Sequence, residues 1–137
     1  MTTLKAHGQW SMKFEGRVLY STMVGATNGE TNLAWAEEMK RQLASTPEGD
    51  TTHWAVLIDG RDWDMASLDS WDSANETITW MAQNNCQLFA VVFEKKIQQF
   101  ALEQGLEAGN IMLPFFDYEE ARQACLNTIK DSKSNPN

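Results

Sequence analysis

The chain has two histidines, two cysteines and three prolines in 137 residues, and basic side chains are outnumbered 11 to 19 by acidic ones. Each shortage excludes something. Binding to phosphates needs clustered Lys and Arg, so a net charge of -8 argues against nucleic acid and against anionic membrane surfaces. Cys86 and Cys125 show no C-x-x-C spacing and no neighbouring His. They read as small buried hydrophobes of a reducing compartment, and no metal site is expected. A hydrolase triad needs a histidine beside a nucleophile and an acid. His7 lies near the N-terminus, and His53 opens a strand that Asp59 should end, roughly 20 Å away at about 3.3 Å per residue. No apolar run approaches the roughly 20 residues that span a bilayer. MTTLKAHGQW lacks the apolar stretch of a signal peptide, so the expected location is cytoplasmic. Gly25–Gly29 matches neither the P-loop nor the dinucleotide fingerprint, and no cofactor is expected.

What remains is a globular composition, 42% hydrophobic and 22% charged, with six tryptophans as its one oddity. The length suits a single domain, expected over residues 8–130, with 131–137 as a flexible polar tail. Gln9–Phe14 alternates polar with apolar, Glu15-Gly16 signals a turn, and Arg17–Val24 resumes as a strand, so the pair predicts a hairpin. Leu33, Ala36, Met39, Lys40 and Leu43 fall at helical spacing, and Pro47-Glu48-Gly49-Asp50 stops that helix. His53–Asp59 is continuously apolar, as a strand buried on both faces is.

A second helix from about Leu68 aligns Leu68, Trp71, Ala74, Ile78 and Met81. Leu88–Phe93 is another buried strand, and Ile97, Phe100, Ala101 and Gln104 are expected to line a third helix. Ile111–Phe116 is a last strand, placed at a sheet edge by Pro114. Asp117 and Glu120 form a capping-box pattern before a helix that carries Tyr118, Ala121, Cys125 and Ile129 inward. The predicted order is β-β-α-β-α-β-α-β-α: an α/β fold with a mostly parallel five-stranded sheet, helices packed on it, and an N-terminal antiparallel hairpin.

This order resembles the STAS domain of SpoIIAA-type anti-sigma-factor antagonists, and more closely the bacterial SpoIIAA-like (STAS/Sec14-like) group. The residues that carry the likeness are Trp54–Asp59 and Leu88–Phe93 with Glu94-Lys95-Lys96 behind it. Pro114-Phe115-Phe116-Asp117, Glu119-Glu120-Ala121 and Cys125-Leu126 complete it. It covers roughly residues 8–130. The resemblance implies a non-enzymatic regulatory module that binds a protein partner; a homodimer is a separate expectation. On the Sec14-like side it implies a carrier or sensor of a small apolar, lipid-like ligand. The family's landmark is a phosphorylated serine in an Asp-Ser-Ser-Gly type motif, and Asp69-Ser70 takes its place, which makes Ser70 the phosphoserine position. Trp71 stands where the second serine would be, and no glycine follows.

Ligands of open parallel sheets sit beyond the carboxyl ends of the strands. That rule points to the stretch after the third strand, where Asp59, Arg61, Asp62, Trp63, Asp64, Asp69 and Asp72 crowd. The acids depart from the EF-hand template and read as helix-capping and Arg61-pairing groups. Asp59, Arg61, Trp63, Met65 and Trp71 are therefore the candidate residues for a partner or an apolar ligand. Trp63, read as a loop residue, either covers an apolar cleft or folds back on the core.

Overall fold

The structure, a computed structural model, describes residues 2–4, 9–27, 29–64, 71–107 and 109–134. Its strands are β1 (Thr2–Leu4), β2 (Gln9–Glu15), β3 (Val18–Ala26), β4 (Trp54–Asp64), β5 (Cys86–Val92) and β6 (Met112–Phe115). Its helices are α1 (Gly29–Ala44), α2 (Trp71–Gln83), α3 (Lys96–Gly105) and α4 (Tyr118–Ser134). The strands lie side by side in chain order in one six-stranded sheet. β1, β2 and β3 run antiparallel, and β3 to β6 are parallel. The expected five strands and their hairpin are present, and β1 adds a sixth at the edge. The hairpin turns at Gly16 and Arg17, with φ of 58° and 70°, the pair of positive values that matches the twist of the flanking strands.

Every crossover from β3 onward steps the same way across the sheet. Right-handed connections then put α1, α2 and α3 on one face. That face holds the larger core: Trp35 and Met39 of α1, Ile78 and Met81 of α2, and Leu102 of α3 pack on Leu19, Trp54, Val56, Phe89 and Val91. α4 alone covers the other face, setting Ala121, Cys125 and Ile129 on Val18, Ala55, Leu57, Ala90 and Val92. β4, at the centre, is fully buried from Trp54 to Leu57.

Two helices behave as their periodicity predicts and two depart from it. α4 buries Ala121, Cys125 and Ile129 of its expected stripe and leaves Tyr118 half-buried, and Asp117 caps it by accepting the Glu120 N–H at 2.9 Å. It continues through Ser134, so helix occupies the first residues of the expected tail. α2, described from Trp71, buries Ile78 and Met81 as expected. In α1 the inward groups include Trp35, while Leu33 and Lys40 are exposed. α3 is rotated from expectation: Leu102 is buried, Ala101 half-buried, and Ile97, Phe100 and Gln104 face solvent. The reason is Gln98, a polar residue that turns inward to hold backbone groups of β4.

Candidate functional site

The stretch after Asp59 is strand, not loop. β4 runs on to Asp64 because its backbone keeps a partner: Asp62, Trp63 and Asp64 lie opposite Val24, Gly25 and Ala26 of β3. Between the pairs Thr22–Asp59 and Val24–Asp62, β4 spends one residue more than β3, a β-bulge at Gly60–Arg61. Bulges re-aim side chains. Here Gly60 fits because a Cβ would meet the Trp63 ring at 3.1 Å and the Val92 carbonyl at 3.2 Å.

The bulge leaves Asp59 and Arg61 on the α4 side. Arg61 grips Asp59 with two bonds, Nε to Oδ1 at 2.9 Å and Nη2 to Oδ2 at 2.8 Å. Its guanidinium also lies 5.7 Å from the ring centre of Tyr118, at the start of α4. The hydrogen bonds from Arg61 hold the Asp59 carboxyl below its ordinary pKa against the burial that would raise it. Asp59 in turn raises the Arg61 guanidinium. Burial pushes the Tyr118 phenol up, with Tyr20 and Asp59 adding to it. The pair is a fixed, partly exposed ion pair at the carboxyl end of the central strand.

Trp63 and Trp71 are on the opposite side of the sheet. The Trp63 indole donates to Thr27 Oγ1 at 3.0 Å and packs, half-buried, against the larger core. Trp71 also packs on that core, with its ring against Gly105: a Cβ there would sit 2.1 Å from the nearest ring atom. Asp59 with Arg61, and Trp63 with Trp71, are therefore two separate groups with the sheet between them. Met65 and Ser70 lie outside the described residues.

Gln98 is the residue that sequence reasoning missed. Its side-chain nitrogen donates to the carbonyls of Trp63, Arg61 and Gly60 at 2.9, 3.1 and 3.2 Å. Its oxygen accepts the Glu94 and Lys95 N–H groups, each at 2.8 Å. The only available signal was its position three residues after Lys95, the capping-box spacing.

Between the three helices and the sheet lies an apolar cavity of about 50 Å³, lined by residues including Met23, Trp35, Ile58, Trp63, Met81 and Phe89. A carrier of lipid-like molecules needs about 300 Å³ or more, so this space does not meet that expectation. Clefts beside α2, lined by Asn75, Glu76, Gln83 and Glu107 among others, open to solvent. Burial pushes both thiols, Cys86 and Cys125, up to about 12, which keeps them protonated and poor nucleophiles. Among the described residues no three His, Cys, Asp or Glu side chains are grouped to hold a metal ion, and no helix is long and apolar enough to cross a membrane.

No protein-family model matches the chain, and no curated protein matches it. Solved structures do. An uncharacterized protein of the DUF3478 family with a SpoIIAA-like fold, from Shewanella loihica PV-4, superposes with a TM-score of 0.64 at 18% identity, over 90% of this chain and 98% of its own. An anti-sigma factor antagonist from Mycobacterium paratuberculosis superposes with a TM-score of 0.54 at 14% identity, over 85% and 92%. The fold is SpoIIAA-like, as the order of strands and helices implied.

Proposed function

We propose that this chain, with its SpoIIAA-like fold, is a non-catalytic regulatory module that binds a protein partner through the surface around Asp59 and Arg61. The observation that carries the proposal is the shared fold with an anti-sigma factor antagonist, a name that denotes action on another protein. Three features support it. The carboxyl end of β4 offers a fixed charged pair at the surface rather than a cleft. The thiols are buried, and His53 stands at the far end of β4. The net charge of -8 suits a basic partner.

Trp63 and Trp71 serve this reading by packing behind the surface. Ser70, directly before the first residue of α2, is the position at which phosphorylation would regulate binding. The reading places the protein in the cytoplasm. A small apolar ligand is the weaker alternative, because the interior cavity is about 50 Å³.

The test is affinity capture from the native host with wild type and Arg61→Glu side by side, followed by calorimetric titration of any captured protein. The expected result is one protein partner whose affinity falls about tenfold or more in the variant, with a melting temperature lowered by only a few degrees, since the partly exposed Asp59–Arg61 pair is worth no more than about 1 kcal/mol. Equal capture by both forms would move the surface away from Arg61. Absence of any partner would remove the proposal.

A further inference from the structure

Six large apolar side chains stand exposed among the described residues, and four of them, Ile97, Phe100, Leu113 and Phe116, fall on or beside α3 and β6. Ile97 is 71% exposed and Phe100 62%. β6 forms one edge of the sheet, and α3 is the helix that leads into it. An open edge normally invites another strand. In a parallel pair, alternate residues bond to the same neighbour. The carbonyls of Ile111 and Phe115 accept from Phe89 and Phe93, which leaves Met112 and Pro114 turned outward. Pro114 has no N–H, and the Met112 N–H is taken by Asn110 Oδ1 at 2.7 Å. This edge thus lacks both N–H donors and is a poor template for a further strand, whereas Ile97 and Phe100 offer an exposed apolar side-chain surface on α3.

The charges of α3 identify what covers that surface. Lys96, Phe100 and Glu103 follow i, i+4, i+7 spacing and share one exposed stripe. Lys95 lies just before the helix, and Glu107 follows it. No acidic residue occupies the first turn and no basic residue the last, so the charges run against the helix dipole. Glu94, the nearest acid upstream, acts on Arg61 instead. Gln99 holds Glu103 from one turn back, at 3.0 Å. An antiparallel helix with the same order of charges offsets this arrangement, and a second α3 related by a twofold axis has that order. With Phe100 on the axis, Lys96 of each copy faces Glu103 of the other, and Ile97 closes over the apolar centre.

The geometry points to a homodimer formed by α3 against α3 through this exposed face, an isologous contact of self-complementary surfaces. One helix crossing is small for a stable interface, so the dissociation constant is on the order of micromolar.

Sedimentation velocity of the full chain over a concentration series tests it. The expected result is a monomer–dimer equilibrium that weakens with salt. Phe100→Glu should weaken it about tenfold or more, without lowering the melting temperature of the dilute monomer. Lys96→Glu should weaken the dimer, and adding Glu103→Lys should restore it. Phe100→Cys should give an interchain disulfide under mild oxidation, since both native thiols are buried. A wild-type chain that stays monomeric at high concentration overturns the inference. So does a dimer that survives Phe100→Glu unchanged.

Discussion

Gln98 of α3 donates its side-chain amide to the carbonyl of Trp63 on β4 at 2.9 Å, with the carbonyls of Arg61 and Gly60 also in reach. One side chain thus ties the tail of the central strand to the start of a helix. Gln98→Ala should cost about 1–3 kcal/mol, since the partly buried carbonyls of Gly60 and Trp63 lose their partner together with three exposed backbone groups. Gln98→Glu keeps the acceptor half, which caps Glu94 and Lys95, and should lose less. Chemical denaturation measures both, and hydrogen exchange should quicken at Arg61–Asp64. If both variants unfold with the wild type, the bridge carries no stability.

Alanine normally strengthens a helix relative to glycine, by roughly 0.5–1 kcal/mol. At Gly105 the sign should reverse, because the new Cβ would lie within 2.4 Å of three Trp71 ring atoms. Gly105→Ala should destabilise by about 1–3 kcal/mol through overpacking. Trp71→Leu makes room, so the double variant should lose less than the sum of the two single losses. Strict additivity in thermal melts would mean the contact is unimportant.

Trp63 should respond to substitution as a core residue does. Trp63→Phe removes the bond to the buried Thr27 hydroxyl and should cost about 1 kcal/mol. Trp63→Ala should cost about 2–3 kcal/mol, toward or below the low end for a large aromatic because the ring is only half-buried. A denaturation midpoint that does not move for Trp63→Ala would return Trp63 to the binding surface.

The Asp59 carboxyl has a folded pKa below its unfolded one, because Arg61 bonds to its charged form. Its contribution to stability is therefore present above the unfolded value, near pH 4, and is lost as pH falls through the folded value. Since both groups are partly exposed, that contribution should stay within about 1 kcal/mol. In Arg61→Met the carboxyl should titrate higher, and the wild-type advantage should shrink below pH 4. NMR titration of Asp59 reads this directly. An unchanged Asp59 pKa in the variant would rule out Arg61 as the cause.

Apolar spacing made α4 legible, because Ala121, Cys125 and Ile129, which it buries, are apolar and four residues apart, about one helical turn. α3 was not legible for the opposite reason. Besides the buried Leu102 its inward anchor is Gln98, while Ile97 and Phe100 point to water, and periodicity can only follow the apolar residues. The tail of β4 was hidden in a similar way. Asp59, Arg61, Asp62 and Asp64 look like loop, yet the strand continues because its backbone finds β3, and backbone pairing leaves little trace in side-chain type. That error carried over to the candidate site. Residues close in sequence were expected to share one surface, whereas strand alternation and a one-residue bulge send Arg61 and Trp63 to opposite sides.

The strands occupy the sheet in the order in which they are made. During synthesis the β2–β3 hairpin can form first, and each later parallel strand finds its neighbour already in place. Only one new edge is exposed at a time, which limits the open sheet available to other nascent chains. The last strand added is the one that contains Pro114. Growth strand by strand across the molecule would therefore end on an edge whose proline withholds a ladder donor, and the last strand made is the one that discourages a further strand from joining.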